Sequence, residues 1–127
     1  MEQLTISGSQ FRDMILAGAA LLERNRSYID SLNVFPVPDG DTGTNMTMTM
    51  QGAVKELQSL PEGANASAVA DALSKGALRG ARVNSGVILS QLVRGFSKAF
   101  KGAEVIDAQL LAAALTKGSE SAYKAVL

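Results

Sequence analysis

In about five separate stretches of this chain, apolar residues recur every three or four positions, and no stretch sustains an alternation in twos. The first spacing lines apolar side chains along one face of a helix; without the second there is no half-buried strand to pair. The chain therefore reads as all-α. A first helix is capped by Ser7 or Ser9 and carries Phe11, Met14, Ile15, Leu21 and Leu22, with small Gly18 on the same face and a continuation through Tyr28, Ile29 and Leu32. A second runs from Met46 to about Leu57, its stripe formed by Met46, Met50, Val54 and Leu57, with Met48 partly exposed. Ser67 is the expected cap of a third, Ala68 to about Ala81, with Val69, Ala72, Leu73 and Leu78 apolar. Val87, Ile88, Leu92, Phe96 and Phe100 step by about four through a fourth that Gly102 ends. Asp107 caps a last helix of Leu110, Leu111, Ala114, Leu115, Ala122 and Val126, whose pattern is still running at Leu127. No repeat or linker divides residues 1–127, so one domain is expected.

Two interruptions hold the chemistry. Asn33–Asn45 packs two prolines, two glycines and two aspartates into thirteen residues. Pro36 and Pro38 hold the backbone extended, and Gly40 and Gly43 permit angles closed to other residues. In an extended loop Asp39 and Asp41 point the same way. Two such carboxylates repel each other unless a cation lies between them, and Mg²⁺ suits them because its shell mixes carboxylates, water and phosphate oxygens. Thr42, Gly43, Thr44 and Asn45 then open a helix, where free N–H groups and the helix dipole suit a phosphate. Taken alone, an Asp-Gly turn ahead of a helix is read first as turn and cap. A calcium loop of the EF-hand type is excluded because Met46–Met50 supplies no carboxylate. The second interruption is Gly80–Gly86. Ser85 and Gly86 are placed to hold a phosphate at a helix start, with Arg82 as a cation and Asn84 or Ser85 as a plain cap in the alternative. It is not a Walker A loop, because no Gly-Lys-Ser/Thr follows.

Composition narrows the classes. With no cysteine and no histidine, thiolate chemistry, disulfides, Cys/His zinc sites and histidine bases are excluded, and any metal must be held by oxygen. The formal net charge of zero speaks against a general nucleic-acid binder. Met1–Ser9, with Glu2 and mixed polar residues, does not read as a signal peptide, and no apolar run reaches the ~18 residues of a membrane span. The expectation is a soluble cytoplasmic protein. Lys98, Lys101, Lys117 and Lys124 read as a solvated face, and Arg94 as a weaker phosphate candidate. The stripe Leu111, Leu115, Ala122 and Val126 is a candidate surface for a homodimer.

Taken together the two loops resemble a known family. Asn33-Val34-Phe35-Pro36-Val37-Pro38-Asp39-Gly40-Asp41-Thr42-Gly43-Thr44-Asn45-Met46 is similar to the signature of the DhaL-type domain, the nucleotide-binding domain of dihydroxyacetone (glycerone) kinases. The Val-Pro-Asp-Gly-Asp-Thr-Gly-Thr-Asn form most resembles the N-terminal kinase domain of bacterial fatty acid kinase. Gly76–Arg82, Asn84–Gln91 and Arg94-Gly95-Phe96 resemble the family's second motif, and the resemblance covers essentially the whole chain.

The resemblance implies an antiparallel helical barrel or bundle of about eight helices, of which about five are read here. It implies ATP or ADP and two Mg²⁺ at one end. Asp39 and Asp41 would be metal ligands and the catalytic pair, and Asn33, with Asp30 a turn earlier, the nearest match to a third ligand. Thr42, Gly43, Thr44, Asn45, Arg82, Asn84, Ser85 and Gly86 would face the nucleotide. The implied reaction is phosphoryl transfer to a fatty acid carboxylate presented by a fatty-acid-binding protein, or to glycerone held on a substrate subunit. A nucleotide-sensing or assembly module without catalysis is the alternative. Two departures stand out. The family has glycine where this chain has Val83, and a β-branched residue there strains a loop needing positive φ or crowds a phosphate. The chain is also shorter than the family domain by some three helices, so ATP binding by the isolated chain is expected to be weakened or absent unless a partner chain completes the barrel.

Overall fold

The computed structural model describes residues 4–35 and 37–126. Pro36, part of the expected extended break, lies outside the described residues, as do Met1 of the N-terminal segment and Leu127 at the end of the last helix pattern. The order is β1 (Thr5–Ser7), α1 (Gly8–Arg24), α2 (Arg26–Ser31), α3 (Thr42–Gln58), α4 (Ala66–Gly80), α5 (Val83–Lys98), β2 (Val105–Asp107) and α6 (Ala108–Val126). The fold is all-α apart from the two three-residue strands. Six helices appear among the described residues where about five are expected, because Asn25 ends α1 and α2 restarts immediately as a separate turn and a half.

The strands were not legible as a pattern. They pair antiparallel, Thr5 with Asp107, Ile6 with Ile106 and Ser7 with Val105. Three residues are too few to show alternation, and a partner about a hundred positions away leaves no hairpin signal. The ladder ties the start of α1 to the start of α6, and Ile6 and Ile106 join the core edge.

Helix starts follow their caps. Ser7 and Gln10 form a reciprocal capping box on α1. Asp107 Oδ1 accepts from Leu110 N at 2.8 Å on α6. The expected cap Ser67 is not the cap of α4. Asn65 is, its Oδ1 accepting from Ala68 N at 2.9 Å, while Ser67 Oγ accepts from Gly102 N. The helix starts two residues earlier, so Ser67 is already inside it and its hydroxyl serves Gly102 instead.

α3 lies at the centre, against α1, α2, α4 and α5, and α6 packs on α5. Small residues set these approaches. A Cβ on Gly52 would lie 2.2 Å from Gly76 O, and one on Gly95 would lie 2.3 Å from Lys117 O. The core holds Leu57, Val69, Leu73, Val93 and several alanines, closed at one end by Phe11, Phe96 and Phe100 with ring centroids 4.9–6.2 Å apart. On α1 the expected stripe splits: Phe11 is buried, while Met14 and Leu21 lie exposed. On α3, Met50 packs against the core and Met48 is 39% exposed, as the spacing implies.

Candidate functional site

The starts of α3 and α5 lie together. Thr49, two turns into α3, donates its hydroxyl to Asn45 O at 3.0 Å and lies 3.4 Å from Gly86 O. A Cβ on Gly86 would come within 2.8 Å of that hydroxyl. Glycine at 86 therefore lets the two motifs meet. Between them is a cleft of about 460 Å³. Asp39, Asp41, Thr42 and Asn33 line one side, Asn84 and Ser85 the other, and Phe35, Val37, Val83 and Ile88 supply apolar wall.

Both helices start earlier than the periodicity implies. α3 begins at Thr42, so Thr42–Asn45 form its first turn. α5 begins at Val83, so Asn84, Ser85 and Gly86 are helical and the link from α4 shrinks to Ala81 and Arg82. Polar first turns carry no apolar stripe, which is why spacing places these boundaries late.

Asp30 of α2 organises the first loop. Its Oδ1 accepts from Thr44 N at 2.9 Å and its Oδ2 from the Thr44 hydroxyl at 2.6 Å. The Thr44 hydroxyl, then the Thr44 and Gly43 amides and the charge of Arg26, hold its carboxyl below the ordinary value, against some desolvation. Gly43 is not in the left-handed region. Its place is steric: a Cβ would lie 2.4 Å from Arg26 O and 3.0 Å from Ile29 Cβ, so only glycine lets α2 seat on α3. Gly40 does take φ 64, turning the chain between the two aspartates. Asn33 Oδ1 accepts from Asp41 N at 3.0 Å and braces the second aspartate.

The amides expected to face a phosphate at Thr42–Asn45 are thus largely engaged. Thr44 N bonds Asp30, and Asn45 N bonds Asp41 O at 2.8 Å. With a carboxylate already on it, the start of α3 is a poor place for a second anion. The start of α5 differs: Arg82 gives it no side-chain cap. A helix start without a cap leaves N–H donors facing outward. Arg82 itself does not line the cleft. Its Nη1 donates to Arg79 O at 3.2 Å and Ala81 O at 2.8 Å, closing the end of α4. Val83 takes φ 47, the positive angle that the family comparison leads one to expect there.

Two further observations bear on a nucleotide and its cation. Asn45 is 7% exposed and its Nδ2 has no partner, so a buried donor in the first turn of α3 lacks an acceptor, although Asn45 does not line the cleft. Among the described residues Asp39 and Asp41 form no ion pair; those seen join Lys75 to Asp71 and Arg79 to Glu56. No group of three or more acidic residues forms a metal cage among the described residues. The donor set fits a cation held by two carboxylates and completed by water and phosphate oxygens. Spacing alone did not reveal Asp30 as the organiser, since it lies fourteen residues from Thr44 with only a loop between.

Residues 36–126 match the family model described as the DAK2 domain. Over 123 residues the chain is 54% identical to Protein YloV of Bacillus subtilis (strain 168), covering 97% of this chain and 22% of that protein. It is 50% identical over 122 residues to uncharacterized proteins of Staphylococcus aureus strains USA300 and N315, covering 96% of this chain and 22% of each. The chain thus spans 22% of the length of these curated relatives.

Proposed function

The chain belongs to the DAK2 domain family, a dihydroxyacetone-kinase-like class of nucleotide-binding modules, and on that premise we propose that it is the nucleotide-binding unit of an ATP-dependent kinase. The supporting observation is the single cleft that sets Asp39 and Asp41 opposite the uncapped start of α5.

In this reading residues 1–127 act as one DhaL-like unit. Asp39 and Asp41 hold the divalent cations, with the second lone pair of Asn33 Oδ1 as a third protein oxygen. When bound, Mg²⁺ neutralises phosphate charge and assists phosphoryl transfer. The N–H groups and side chains of Asn84, Ser85 and Gly86, with Thr42, donate to phosphate oxygens. Asn45 Nδ2 supplies a further donor, and Asp30 and Thr44 keep the loop in place. The chain has no histidine. An acceptor that is already a carboxylate nucleophile, such as a fatty acid on a carrier protein, needs no base; a hydroxylated acceptor such as glycerone needs one from its own subunit. The acceptor-presenting partner and self-association through Leu111, Leu115 and Val126 belong to the same proposal; sedimentation of the isolated chain checks the second.

A non-catalytic nucleotide sensor is the second reading, favoured by the strained Val83 and by Arg82 being held on α4. The deciding experiment titrates MgADP into the chain and into Asp39→Ala, read by amide NMR. Shifts at residues 39–45 and 84–86 that vanish in the variant are expected. No shift at millimolar nucleotide, in this chain and in a full-length relative alike, would overturn both readings. Binding without phosphotransfer in a full-length relative would leave only the second.

A further inference from the structure

At the opposite end of the bundle, where α4 begins and α5 ends, lies a cleft of about 560 Å³. Its walls mix polar and apolar surface: Ser67, Ala68, Asp71 and Ser74 of α4 face Ser97, Lys98 and Lys101. Ser97 is 7% exposed, and its hydroxyl has no hydrogen-bond partner. A helical serine ordinarily satisfies itself on a carbonyl one turn back, and a buried hydroxyl left unpaired is costly. Lys98 and Lys101 have no ion pair among the described residues, whereas Asp71 is paired with Lys75 at 2.9 Å. The cleft therefore presents two uncompensated cations and a buried donor.

The start of α4 does not provide this site. Its amides are already used: Ala66 N bonds Glu104 O, Ser67 N bonds Ala103 O, and Ala68 N bonds Asn65 Oδ1. Recognition falls to side chains. Lysines near a helix end also favour the helix dipole, which explains their position without a ligand. Ser97 has no such explanation, and it is the residue that discriminates.

We propose that this cleft binds a small phosphate-bearing anion, with Lys98 and Lys101 on the phosphate and Ser97 Oγ donating to it. The volume lies within the range of small-molecule sites. The site is separate from the Asp39–Asp41 cleft and stands whether or not that cleft binds nucleotide.

The test is an amide NMR titration of this chain with glycerol 3-phosphate, and separately with inorganic phosphate and with glycerol. Saturable shifts at Ser74, Ser97, Lys98 and Lys101 are expected with both phosphates and not with glycerol, while residues 39–45 stay still. Ser97→Ala is expected to weaken glycerol 3-phosphate at least tenfold and to leave the fold intact, since it removes one unpaired hydroxyl. Lys98→Gln with Lys101→Gln is expected to abolish binding. Three outcomes would overturn the proposal: no saturation at millimolar phosphate, shifts spread equally over Lys55, Lys117 and Lys124, or unchanged affinity in Ser97→Ala. The last would mean that Ser97 is satisfied by an ordered water.

Discussion

Val83 holds φ 47 with a β-branched side chain that is 58% exposed. The left-handed region costs an L-residue about 1–2 kcal/mol, while glycine brings an unfolded-state entropy cost of about 0.5–1 kcal/mol. Val83→Gly is therefore expected to gain roughly 0.5 kcal/mol, seen as a higher urea midpoint; a lower midpoint would mean that the valine side chain holds the loop. Asp30 makes the second residue-scale prediction. Its folded pKa lies below the ordinary 3.8, so its contribution is present above the unfolded value and is lost as pH falls through the folded one. The urea midpoint of Asp30→Ala should lie below that of the native chain at neutral pH, and the gap should narrow below pH 3.8. A gap independent of pH would show that the carboxylate's charge is not what holds Thr44.

At the scale of elements, two glycines on helices with similar propensity have opposite meanings. Gly18 on α1 has nothing within 4 Å of where a Cβ would stand, so Gly18→Ala should stabilise the chain by about 0.5–1 kcal/mol through helix propensity. Gly52 on α3 would put its Cβ 2.2 Å from Gly76 O, backbone that cannot yield without parting the helices. Gly52→Ala should cost roughly 1–3 kcal/mol, measured by the same denaturation. If both substitutions stabilise, α3 and α4 are not in close contact. The same closeness explains a buried face that spacing misassigns: Thr47 and Thr49 are buried and Met46 is only half-buried, because α3 has neighbours on several sides rather than one.

For the whole molecule, the proposal couples ligand to fold. A ligand that binds only the folded chain adds about 2.7 kcal/mol at a hundred times its Kd. MgADP should therefore raise the melting temperature of the native chain and not that of Asp41→Ala, whose unliganded stability should hardly change. A rise that survives in Asp41→Ala would place the nucleotide elsewhere. The described residues contain no helix long and apolar enough to cross a membrane. The exposed Leu115, Tyr123 and Val126 between α5 and α6 form an apolar face of a chain that makes up 22% of its relatives' length.

By itself the sequence determined that this chain is helical, where its two polar interruptions lie, and which family it joins, because period, turn residues and a contiguous motif are local properties. Asp107 as a cap and Met50 on the core side of α3 were legible for the same reason, and the first cap was narrowed to Ser7 or Ser9. The tertiary structure alone decided that Asp30, not an open row of amides, occupies the start of α3, and that Arg82 turns back onto α4. It also decided that Asn65 rather than Ser67 caps α4, and that strands a hundred residues apart pair. Each of these depends on which groups arrive next to one another when helices pack, and a spacing along the chain carries no record of that distance in space.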